Sequence, residues 1–173
     1  MLSALGRGFP APVVIVQHVD LAFAPGLARW LTTQSGFPVE LVALGEKPRP
    51  GVALLAATRD HLVVGEDRAL AYTARPRETP YRPSVDVFYH SLAAYWPRPG
   101  IAVLLTGMGR DGADGLLRLR KKGWHTIAQD ERTSVVYGMP KAAADRGAAA
   151  RVMPVTDIGP AIRERVLAAR SAP

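Results

Sequence analysis

The chain has 173 residues, the length of one domain, and 48% of them are hydrophobic, enough for a sizeable core. The absence of cysteine excludes a disulfide framework, a thiol nucleophile and a thiolate metal site. The 22 basic residues exceed the 15 acidic ones by seven, but they are mostly scattered arginines with no aromatic interleaving, so a solvated basic surface is expected and nucleic acid is not.

The N-terminus, Met1 to Pro10, carries no long apolar segment and no Ala-x-Ala site, so no signal peptide is expected. No run further on reaches the roughly 18–20 apolar residues of a membrane span, and a cytoplasmic protein without membrane insertion is the expectation. Val13 to Gln17 is a short β-branched run, read as a buried parallel strand. Leu27 to Gln34 predicts a helix ending near Gly36, and Val39 to Ala43 a second strand. Between Val52 and Thr73, three apolar runs separated by polar turns predict antiparallel hairpins at a sheet edge. Arg75 to Pro83 holds three prolines and reads as a loop. Ser84 can cap a helix running to Trp96, with Val85, Phe88, Tyr89, Leu92 and Trp96 on one face. Ile101 to Leu105 is the clearest strand, followed by a glycine-rich turn and a helix through Leu116, Leu117 and Arg120. Trp124 to Gln129 is the next strand, Pro140 suits the first turn of a helix, and Arg151 to Met153 is a last short strand. Asp157 is placed as the cap of a final helix with Ile158, Ile162 and Val166 facing inward. The alternation of strands and helices predicts an α/β fold, in which ligands bind beyond the carboxyl ends of strands.

Three segments fall at such ends: Gln17-His18, Thr106 to Gly112 and Gln129-Asp130. His18 offers an imidazole suited to moving a proton near neutral pH. In the second segment, four glycines within nine residues, from Gly107 to Gly115, let backbone amides approach a bound group closely. Asp111 and Asp114 add carboxylates, either as helix caps or as the partner that orients a histidine. Gly107, Gly109 and Gly112 also spell G-x-G-x-x-G, with Asp130 18 residues beyond Gly112, so a dinucleotide-binding reading stands as an alternative. Its weakness is Asp111, whose charge would face the pyrophosphate. His18, His61, His90 and His125 show no metal-ligand spacing. His61 and His125 are read as structural.

Taken together, Gln17-His18, Arg82-Pro83-Ser84-Val85-Asp86, the Thr106–Gly112 turn, Thr126 to Asp130 and Val136 to Pro140 resemble the catalytic domain of the chemotaxis protein-glutamate methylesterase (CheB) family. The resemblance runs from about Leu2 to the C-terminus, as a single domain over 1–173. It implies a three-layer α/β/α Rossmann-like fold with a mainly parallel sheet and an antiparallel hairpin edge. It implies hydrolysis of glutamate methyl esters on the cytoplasmic helices of methyl-accepting chemoreceptors, deamidation of receptor glutamines, and no cofactor. A receiver domain is a further partner that it suggests. Position by position, it makes His18 the general base, Asp111 its orienting carboxylate and the Met108 amide an oxyanion donor. Arg82 is the candidate for positioning substrate.

The family's nucleophile sits on a G-x-S-x-G-G turn after a first strand, and that turn would lie ahead of Met1. The domain is therefore expected to be N-terminally incomplete and inactive as it stands. Ser3, Ser35, Ser84, Ser91, Ser134 and Ser171 all lack the matching context. A catalytically incomplete receptor-binding or regulatory homologue is the other alternative.

Overall fold

In the computed structural model, which describes residues 1–171, the β-branched run after Pro12 becomes strand β1 (Val13–Ile15). Ahead of it lies the short helix α1 (Leu2–Leu5). Helix α2 (Ala24–Ser35) begins three residues before the expected Leu27, because Pro25 suits the first turn of a helix. Gly36 closes it in the left-handed conformation. Strand β2 (Val39–Leu41) follows, then β3 (Ala53–Leu55).

One expectation is corrected here. Ala53–Leu55 is not part of a hairpin but the centre of a parallel sheet of order β1-β3-β2. Its three residues are fully buried, with Leu54 on one face and Ala53 and Leu55 on the other. A strand apolar on both faces has no alternation to announce it, and its length does not separate parallel from antiparallel pairing. The antiparallel hairpin is β4 (His61–Val64) with β5 (Leu70–Thr73), which form a separate two-stranded sheet.

Helix α3 (Val85–Tyr95) opens at Ser84, whose Oγ accepts from the Val87 amide. Then come β6 (Ile101–Leu104), α4 (Ala113–Lys121), β7 (His125–Gln129), α5 (Met139–Asp145), β8 (Arg151–Met153) and α6 (Val155–Ser171). Helix α6 starts two residues before Asp157, which lies in its first turn and is not its cap. The second parallel sheet has the order β6-β7-β8.

Two apolar clusters sandwich these strands. On one face Leu54, Leu104 and Ala128 pack with Phe88 of α3, Leu116 of α4 and Leu62 of the hairpin. On the other, Leu55, Ile127 and Met153 pack with Leu5 of α1, Ala28 of α2 and Ile158 of α6. The result is a helix–sheet–helix arrangement of three layers. Among the described residues, β1 pairs only with β3, and β6 only with β7. Between β1 and β6 lies a slot of about 870 Å³, walled by Val14 and Val16 on one side and Val103 and Leu104 on the other.

Candidate active site

The site is organised around Asp111, which follows β6 on the glycine turn and is 3% exposed. Its Oδ1 accepts from the Ser84 hydroxyl at 2.7 Å and the Asp86 amide at 3.1 Å. Its Oδ2 accepts from the Val85 amide at 2.7 Å and lies 2.7 Å from Nε2 of His18. The Val85 and Asp86 amides belong to the first turn of α3, where N–H groups have no intrahelical acceptor. Asp111 thus satisfies donors at a helix start that is remote in sequence. Burial raises its pKa, but bonds from His18, Ser84 and the two amides prevail and hold the carboxyl below its usual range. An ionised carboxylate only accepts hydrogen bonds. His18 Nε2 therefore carries the proton of this bond. Nδ1 has no hydrogen-bond partner among the described residues.

His18 reaches this point three residues after the end of β1, and it lines the slot. The phenol ring of Tyr81 stacks on its imidazole, with centroids 4.7 Å apart and planes 11° from parallel.

The glycine turn is clamped from behind. The Gly107 carbonyl accepts from the Gly138 and Met139 amides, and the Gly107 amide donates to the Val136 carbonyl. A Cβ on Gly138 would lie 2.7 Å from that Gly107 oxygen, so the close approach requires glycine. Gly109 and Gly112 have φ of +88° and +85°, the left-handed region. Gln129 braces the start of the turn by accepting from the Thr106 amide and donating to the Thr133 carbonyl. The Met108 amide finds no acceptor among the described residues.

The structure thus brings His18, Asp111 and the Met108 turn to one place. Arg82 faces elsewhere: its guanidinium donates to the Arg77 carbonyl and lies 3.9 Å from Asp60. It would have to leave these partners to meet a substrate. Asp130, the acid of the dinucleotide reading, accepts from the Thr133 amide and hydroxyl within its own turn. Asp114 pairs with His90 and Arg146 at the surface. Among the described residues no group of three or more acidic or histidine side chains is arranged to hold a metal.

Two supporting residues escaped the sequence reading. Buried His61 accepts from the Ser84 amide through Nδ1 and so donates from Nε2 to the Pro76 carbonyl, fixing the neutral tautomer. It holds in place the residue that bonds Asp111. Tyr81 sits in the proline-rich loop, where no periodicity marks it.

Comparison with known proteins adds a second line of observation. The family model described as CheB methylesterase matches residues 1–162. The protein-glutamate methylesterase/protein-glutamine glutaminase 1 of Burkholderia lata is 60% identical over 155 residues, covering 90% of this chain and 46% of that protein. The corresponding type 4 protein of Burkholderia thailandensis is 59% identical over 158 residues, 91% of this chain and 46% of its own length. The chain therefore spans about half the length of these curated relatives. The crystal structure of the Thermotoga maritima CheB methylesterase catalytic domain superposes with a TM-score of 0.88 at 33% identity, covering 95% of this chain and 88% of that one.

Proposed function

The chain belongs to the CheB methylesterase family, and from that premise we propose that its site hydrolyses glutamate methyl esters on chemoreceptor helices, and deamidates receptor glutamines, by a serine–histidine–aspartate mechanism. The observation that carries this reading is the His18–Asp111 bond, which commits Nε2 and leaves Nδ1 without a hydrogen-bond partner among the described residues, on a residue that lines the slot.

Nδ1 takes the proton of an attacking serine hydroxyl while Asp111 holds the imidazole and stabilises its charged form. The ester carbonyl oxygen becomes an oxyanion, which the Met108 amide receives. The imidazolium then protonates the leaving methoxide, and methanol departs. Water, deprotonated by Nδ1, hydrolyses the acyl-enzyme to the free glutamate and restores the serine. Every proton in this cycle passes through Nδ1.

Among the described residues no serine hydroxyl bonds His18, and the Ser84 hydroxyl is committed to Asp111. We infer that the nucleophile is delivered by a strand and turn seated in the slot between β1 and β6. Both flanking strands run with their carboxyl ends toward the site, where His18 and Gly107 line the slot. A strand lying parallel between them would end beside Nδ1. Met108, Val135 and Val136 are exposed apolar residues near this end and supply a surface for the apolar side of a receptor helix. Arg82 remains a candidate for positioning substrate from the rim, and a cytoplasmic site of action with a receiver domain as partner completes the proposal.

The absence of a serine at His18 favours one other reading, a receptor-binding homologue without catalysis. Methanol release from methylated receptor separates the two. It is measured for this chain and for one extended upstream through a G-x-S-x-G-G strand and turn. Release by the extended form supports the esterase. No release by either, with both folded and bound to receptor, supports the binding module.

A further inference from the structure

We propose that Tyr81 is a positioning residue for the site: its ring clamps the face of the His18 imidazole and its hydroxyl end rests on Gly109, tying the base to the turn that carries the Met108 amide. The proposal rests on the reading of His18 as the base.

The Nε2–Asp111 bond fixes one atom of the imidazole. With Cβ anchored to the backbone and Nε2 in one hydrogen bond, the ring can still librate about the Cβ–Cγ bond, and Nδ1 shifts as it does. A proton transfer needs Nδ1 within about 3 Å of its partner and aligned with it. A contact on the face of the ring limits this libration. Tyr81 supplies it with a near-parallel stack of 4.7 Å between centroids, an offset-stacked separation at which two ring systems attract. The side chain of His18 is 26% exposed, so no surrounding core performs the same task. Tyr81 does not line the slot, whereas His18 does, so the clamp leaves the slot side of the imidazole open.

The far end of the same side chain meets the glycine turn. A Cβ on Gly109 would lie 2.2 Å from the Tyr81 hydroxyl, so that contact exists only because residue 109 is glycine. Gly109 directly follows Met108 in sequence. One side chain therefore reaches from His18 to the residue that follows Met108, and links the base to that turn. The phenol oxygen makes no hydrogen bond among the described residues. The ring carbon Cζ also lies close to Gly109, 3.2 Å from the same Cβ position, so the working part is the ring, and phenylalanine should replace it.

Tyr81→Phe and Tyr81→Leu test this in two readouts. In the chain itself, NMR of labelled histidine reports the His18 ring. The parent and Tyr81→Phe should show one ring orientation with an upfield ring-current shift, and Tyr81→Leu should lose that shift. In the serine-bearing extended form, Tyr81→Leu should lower kcat by about tenfold to a hundredfold, with KM within about twofold and the melting temperature little changed. Tyr81→Phe should restore both readouts. Unchanged His18 signals in Tyr81→Leu, or equal losses in the two variants, would overturn the clamp. If the extended form releases no methanol, the esterase reading fails, and the NMR comparison still decides the role of Tyr81.

Discussion

The same two oxygens of Asp111 hold the start of α3 and the His18 ring, and on the proposed function its variants should separate folding from chemistry. Asp111→Asn keeps the shape but turns an NH2 group toward donors that need an acceptor. Leaving one buried donor unsatisfied should destabilise the fold by about 1–3 kcal/mol in a denaturant titration. In the serine-bearing form, kcat should also fall by up to about 10⁴-fold, because the imidazole loses the partner that sets its tautomer. His18→Ala should show the converse pattern, a loss of about 10²–10⁴-fold in kcat with stability near that of the parent. The depressed pKa of Asp111 gives a pH dependence whose sign follows from linkage. In the unfolded chain this carboxyl titrates in the ordinary range near about 4. Its stabilising contribution is fully present above that range and is lost as pH falls through the lower folded value. In Asp111→Asn that part of the acid destabilisation should vanish, as thermal melts from pH 6 to pH 3 would reveal. Asp86 has the opposite sign: burial, and then the charge of Asp111, raise its pKa even though the Gly115 amide donates to it at 2.7 Å. Its contribution is full below the ordinary carboxylate range and is lost as pH rises through the folded value. Asp86→Asn, which keeps the acceptor, should therefore melt at or above the parent temperature at pH 7. His18, Asp111 and the Met108 turn could be singled out from their residue types and their places after strands. Tyr81 and His61 could not. Each acts through a contact that only the folded chain creates: a stack on a histidine 63 residues earlier in sequence, and a bond to the Ser84 amide 23 residues later.

At the level of elements, local chemistry explains most of what forms. Ser84 starts α3 by accepting from the Val87 amide, and Gly36 ends α2, as the sequence pattern leads one to expect. Ser84→Ala would remove that cap and a donor to Asp111 together. A loss of about 1–2 kcal/mol is expected in a denaturant titration, with no change in far-ultraviolet dichroism. The reading failed at β3, where three apolar residues carry no sign of which strands flank them. Pairing in a parallel sheet is decided by the helices that return the chain, and the link from β2 to β3 holds none. The fully buried Leu54 gives the strand its weight in the core. Leu54→Ala should destabilise by about 2–5 kcal/mol, as measured by the chemical denaturation midpoint.

For the whole molecule, the dominant feature is a sheet in two halves, order β2-β3-β1 on one side of the slot and β6-β7-β8 on the other. The α/β class follows from the alternation of elements and the three layers from the family resemblance, but the slot is visible only once the strands are paired. His18 stands on the first half and Asp111 on the second, so their bond crosses the slot. Seen mechanically, the slot is a seam and the His18–Asp111 pair is a pin across it at one end. A change in the spacing of the halves at that end would be felt by the His18–Asp111 bond, while the apolar cluster that joins Leu54 with Leu104 and Ala128 resists it. On the proposed function, a strand seated in the slot would brace both halves and so also set how still the His18 ring stands.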